Sequence, residues 1–127
     1  MIEEFLAYLE RQEGVTYKVG GDDPVEGFSC SGLVCWGLRA FGLIEHSRHI
    51  TCNAMAERFK NRIVTDAPRR GDLLLFGKPG DLTHCAVAVS GWQMIESSNG
   101  GPDPCVRKRP IGTRKDLATI VRIYGGE

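Results

Sequence analysis

Cys30 stands where a glycine-flanked loop, Gly27-Phe28-Ser29, runs into the apolar stretch Ser31-Gly32-Leu33-Val34. If a helix begins there, its unpaired N–H groups and positive dipole end stabilise a thiolate, lowering a free thiol pKa of about 8.5 to roughly 3.5–7.5 in favourable sites. The same N–H groups suit a developing oxyanion, and the small residues Ser29, Ser31 and Gly32 leave room for a substrate carbonyl. Position alone does not separate a nucleophile from a small buried hydrophobe. The separating feature is a base: cysteine catalysis needs an imidazole in reach and a polar group to fix its tautomer. His84 follows the loop over residues 77–83 and opens the run Cys85-Ala86-Val87-Ala88-Val89. Glu96 lies on the next apolar segment. A hairpin turn at Ser90-Gly91 would bring residues 84 and 96 opposite or diagonal to each other.

The elements that hold these groups read as helices first and strands later. Ile2, Phe5, Leu6 and Leu9 recur at helical spacing between charged residues, giving a helix that stops near Gly14. A loop over residues 20–24 precedes an apolar helix over 31–41 that Gly42 closes, with Trp36 and Phe41 as core. Thr51 is a candidate N-cap for a short helix to about Lys60. Beyond it, residues 71–76, 84–90, 92–97 and 119–124 are β-rich runs, with 105–111 a more polar candidate. The predicted class is α+β, helices segregated on a central antiparallel sheet.

The 127-residue chain is expected to form one domain, residues 1–127. Sixteen basic residues balance sixteen acidic ones, which argues against a nucleic-acid partner. Charge is uneven: residues 1–30 carry seven acids and two bases, and residues 101–127 six bases and three acids. The longest uncharged run, residues 82–95, contains His84 and is shorter than the roughly 18 residues of a membrane span, so no membrane partner is expected. The opening Met1-Ile2-Glu3-Glu4 is unlike a secretory signal. Five cysteines without paired short spacings suit a reduced compartment better than a disulfide framework.

Five ordered blocks resemble the NlpC/p60 family of papain-like cysteine peptidases, which cleave cell-wall peptides. They are Tyr17-x-x-Gly20-Gly21, Gly27-Phe28-Ser29-Cys30-Ser31-Gly32-Leu33-Val34, Arg70-Gly71-Asp72-Leu73-Leu74-Leu75-Phe76, His84 with its apolar strand, and Met94-Ile95-Glu96-Ser97. The resemblance implies a papain-like fold, Cys30 as nucleophile, His84 as base and Glu96 as orienting residue. It implies that Tyr17 lines the site, and Ser29 and Ser31 join it as candidate substrate or oxyanion contacts. It also implies a substrate, the stem peptide of bacterial peptidoglycan, and no metal or other cofactor. Two departures stand out. The family usually carries Asp before the nucleophile, where this chain has Ser29, and commonly His as third residue, where Glu96 accepts the imidazole N–H at least as strongly. Cys85 beside His84 is unusual, though strand alternation directs it to the opposite face.

A small domain of this kind resembles phage enzymes. The expectation is a protein made in the cytoplasm that reaches the wall through lysis or on a virion, with other phage tail proteins as partners. Two rival readings are a tail-tip assembly module with incidental activity and an amidase or acyltransferase using the same pair. His46-x-x-His49-x-x-Cys52 has zinc-like ligand types, but a solvated loop is the favoured reading. Arg107-Lys108-Arg109 reads as a solvated strand face, and Trp92 as either a groove flank or a packing residue.

Overall fold

A computed structural model describes residues 1–124 as three helices and two antiparallel sheets. In chain order the elements are α1 (Ile2–Glu10), β1 (Asp22–Asp23), β2 (Gly27–Phe28), α2 (Cys30–Ala40), α3 (Cys52–Arg58), β3 (Ile63–Val64), β4 (Leu73–Lys78), β5 (Asp81–Ala88), β6 (Gln93–Ser98), β7 (Cys105–Pro110) and β8 (Leu117–Val121). The main sheet runs β3-β8-β4-β5-β6-β7, and β1 and β2 form a separate ladder. This is the α+β architecture expected, with helices on one face of an antiparallel sheet. No helix among the described residues is long and apolar enough to cross a membrane.

Alternation along the strands builds two apolar layers. Leu73, Leu75, Cys85, Val87 and Ile95 face the helices, packing with Phe5, Leu6, Leu9, Leu33, Val34 and Leu38. Leu74, Phe76, Ala86, Ala88 and Met94 form the smaller layer on the other face, under Ile111. In α2, Gly37 lets α1 approach closely, because a Cβ there would stand 2.9 Å from a Leu9 methyl.

Boundaries differ from the sequence reading for local reasons. Regular α1 ends at Glu10, and tight turns carry the chain on to Gly14, whose N–H is taken by the Val106 carbonyl. α2 starts at Cys30, one residue earlier than expected, because Ser29 is its cap: the Ser29 Oγ accepts the Gly32 N–H at 3.0 Å. Thr51 caps α3 as expected, its Oγ1 accepting from Ala54 N–H at 3.1 Å, but α3 ends at Arg58 and a 3₁₀ turn covers Lys60–Arg62. Residues 90–92 form the turn between β5 and β6, which pair Val87 with Ile95 and Ala88 with Met94.

A buried ion pair closes the sheet where β4 and β8 meet. Arg122 donates to both Asp72 oxygens, at 3.0 and 2.9 Å, and Asp72 is 1% exposed. Asp66 and the Ala67 carbonyl take the remaining guanidinium N–H groups. Hydrogen bonds to Asp72, then to Asp66, raise the Arg122 pKa above the ordinary guanidinium value. Asp72 thus serves the fold. Asp72→Ala leaves the buried cation half-compensated and is expected to lower stability by about 3 kcal/mol, read as a lower midpoint in urea denaturation.

Candidate active site

The sheet opens where the site forms. β5 pairs with β4 over Asp81–Val87, yet only Val87 and Ala88 of β5 pair with β6. Earlier in β5 the two strands part, and α2 packs against both. The Ser97 hydroxyl donates to the Phe28 carbonyl at 2.7 Å, tying β6 to the segment that leads into α2. Gly32 permits close packing of α2, since a Cβ on it would collide with the Gly21 carbonyl oxygen.

This opening explains how His84 and Cys85, on opposite faces of β5 as alternation requires, both reach Cys30. The Cys30 sulfur interacts with the His84 ring and with the thiols of Cys52 and Cys85. Hydrogen bonds from Cys52 and Cys85, then from His84 with its charge, hold the Cys30 pKa far below the ordinary thiol range, against the cost of burial. The neighbours move the other way. Cys52 is pushed up to about 12, chiefly by its hydrogen bond to Cys30, and Cys85 is raised by its hydrogen bonds to Cys30 and Cys52. Of these three thiols, that of Cys30 alone is shifted down.

The His84 imidazole is also held by Glu96. His84 Nε2 lies 2.7 Å from Glu96 Oε1, and His84 and Glu96 are 7% and 1% exposed. Continued back before Val87, the β5–β6 register would set residue 96 opposite 86, so His84 and Glu96 are diagonal neighbours on one face. Burial opposes the charged ring, but hydrogen bonds to Cys30 and Glu96 outweigh it and raise the His84 pKa above 6.5. Burial also opposes the Glu96 carboxylate, and His84, Arg109 and Arg107 overcome it to leave the pKa lowered. Arg109 Nη1 is 3.2 Å and Arg107 Nε 3.8 Å from Glu96 Oε2.

The remaining sequence candidates divide. Tyr17 is half-buried and close enough to Cys30 that the thiolate's charge, after burial, raises its phenol pKa. Ser29 has its hydroxyl engaged within the fold: it caps α2 and donates to the Gly21 carbonyl at 3.2 Å. Ser31 Oγ is 2.9 Å from His49 Nε2, whose Nδ1 is 3.7 Å from Asp22. The His46, His49 and Cys52 trio does not assemble. His46 lines a cavity with Tyr8, Asp22, Trp36 and Arg39, His49 sits on Ser31, and Cys52 turns to Cys30 and Cys85. Arg107 and Arg109 depart from the solvated-face expectation by backing Glu96; only Lys108, which bonds Glu10 at 2.7 Å, points away to α1. Trp92 is 65% exposed at the turn beyond the far end of β5, away from His84.

A cysteine at a helix N-terminus, beside a strand-borne histidine that a carboxylate backs, on helices packed against an antiparallel sheet, is the arrangement of the papain-like class. The NlpC/P60 family profile matches residues 14–107, and the chain belongs to that family. It is 29% identical over 104 residues to the bifunctional muramidase/DL-endopeptidase CwlT of Bacillus subtilis, covering 80% of this chain and 29% of that one. It is 34% identical over 98 residues to the murein DD-endopeptidase MepH of Escherichia coli, covering 75% and 35%. The chain spans about a third of the length of the curated relatives it matches. Its fold is shared with the NlpC/p60 domain of the peptidoglycan hydrolase SagA, with a TM-score of 0.78 at 23% identity over 97% of this chain and 99% of that domain.

Proposed function

We propose that this domain hydrolyses a peptide bond in the stem peptides of bacterial peptidoglycan, with Cys30 as nucleophile, His84 as acid and base, and Glu96 as the residue that positions His84. The observation that carries the reading is the Cys30–His84–Glu96 chain. The names of the relatives CwlT and MepH support the substrate.

The Cys30 thiolate adds to the carbonyl carbon, and the carbonyl oxygen takes the negative charge. Ser29 accepts the Gly32 and Leu33 N–H groups, which leaves those of Cys30 and Ser31 without an acceptor among the described residues. These two N–H groups and the Tyr17 hydroxyl are the donors for that oxyanion. The C–N bond breaks as the His84 imidazolium gives its proton to the leaving amine, producing a thioester on Cys30. His84, now neutral, takes a proton from water, whose oxygen attacks the thioester; the acid leaves and the thiolate–imidazolium pair is restored.

The reading is tested by digesting purified sacculi and reading the fragments by mass spectrometry. Stem peptides cut by addition of one water support it; intact stems in a digest by folded protein would refute it. Products cut at the amide joining peptide to glycan would instead make the domain an amidase.

The raised His84 pKa sets a pH expectation. The pair exists above the lowered Cys30 pKa and is lost as pH rises through the raised His84 pKa, so the alkaline limb of kcat/KM lies above 6.5. Glu96→Gln removes the charge that holds the imidazolium, and that limb is expected to move down by about one unit. Glu96→Ala should lose more activity, because orientation goes as well, and Glu96→His should keep substantial activity. Parent pH profiles in all three variants would take Glu96 out of the site.

A further inference from the structure

Three of the five cysteines converge at one point. Cys30 opens α2, Cys52 opens α3, Cys85 lies in β5, and their sulfurs are all within 4.8 Å of one another. Cys52 and Cys85 are buried, and Cys30 alone of the three is partly exposed. The scaffold pins them there. The Ile50 backbone bonds the Cys35 sulfur at 3.4 Å through both its N–H and its carbonyl, and Asn53 Oδ1 accepts the Leu82 N–H at 3.0 Å, so Cys52 is held between α2 and β5. Peptide hydrolysis uses one sulfur, and apolar side chains would fill the other two positions equally well.

We propose that Cys30, Cys52 and Cys85 form a binding site for a soft divalent cation of the zinc class, and that its occupation switches the hydrolase off. Binding stands on the three sulfurs alone; the effect on activity rests on Cys30 being the nucleophile. Zinc held tetrahedrally at about 2.3 Å from sulfur sets thiolates about 3.8 Å apart. The 4.8 Å limit leaves at most about 1 Å to close, a side-chain adjustment. Sulfur ligands favour zinc over magnesium or calcium. The fourth position is left to water on the partly exposed side of Cys30. On binding, Cys52 and Cys85 release their thiol protons to solvent, each sulfur donates an electron pair to the cation, and no electron is transferred. The Cys30 pair directed at the metal no longer attacks a carbonyl. A disulfide would join two of the sulfurs and strand the third, and it would need an oxidant.

The test is a titration of the full, reduced, metal-free chain with cobalt chloride, followed by zinc chloride. One equivalent of cobalt is expected to give the intense near-ultraviolet sulfur-to-cobalt absorption, which one equivalent of zinc then abolishes. Cys52→Ser and Cys85→Ala, with circular dichroism confirming their folds, are expected to weaken cobalt binding by ~100-fold or more. Cys105→Ser, outside the cluster, should bind as the parent does. On the activity side, zinc should stop turnover and EDTA restore it. Absence of the cobalt–sulfur band from the reduced parent would overturn the proposal, as would parent affinity in both folded variants. So would a loss of two titratable thiols with no band, the mark of a disulfide. The absorption is independent of turnover, so an inactive protein that binds cobalt would refute the hydrolase reading and leave the metal site standing.

Discussion

Cys30→Ala is expected to lower kcat/KM on peptidoglycan peptides by roughly 10⁴-fold or more while leaving the fold intact. The substitution removes one sulfur from a partly exposed position at a helix start, where Ser29 still supplies the cap and Ala is a good helix former. What it removes is the only thiol in the cluster whose pKa is lowered; those of Cys52 and Cys85 are raised. The thioester cannot form. Cys105→Ser, on β7, should run at the parent rate. If Cys30→Ala keeps parent activity while folded by circular dichroism, the nucleophile has been placed wrongly.

The parts of this site that local chemistry writes were legible in the sequence, and the parts that depend on how strands separate were not. Cys30 beside small residues, and Thr51 ahead of a short amphipathic run, mark helix starts because caps are local. The diagonal of His84 and Glu96 follows from a two-residue strand period and one turn. The parting of β5 from β6 leaves no local mark, and without it Cys85 reads as facing away from the site. Cys52 is not legible as a neighbour of Cys30, because its spacing with His46 and His49 marks only a loop while long-range packing brings it to a residue 22 positions away. Arg107 and Arg109 read as solvated because a charged strand face looks the same whether it meets water or a buried carboxylate. The strand pairs 22–23 with 27–28 are too short to carry an alternation pattern.

His84→Ala is expected to cost 10²–10⁴-fold in kcat/KM, on the order of what a positioned general acid–base contributes. The fold should survive, because the carboxylate left behind is not left alone: Arg109 at 3.2 Å and Arg107 at 3.8 Å still face Glu96. The variant should also lose the alkaline limb that His84 gives the parent profile, an effect that a structural histidine would not produce. Parent rates with an unchanged limb would dissolve the pair.

A Cys30 thiolate held by its neighbours and by the His84 imidazolium reports its ionisation through its reactivity, without any substrate. The rate of alkylation by iodoacetamide, measured from acid to alkaline pH with the modified residue identified by mass spectrometry, reads the ionisation directly. The expected result is modification at Cys30, already fast at mildly acidic pH, with the rate at low pH reduced in His84→Ala. A rate that rises only near the ordinary thiol pKa of about 8.5, identical in both proteins, would contradict the account.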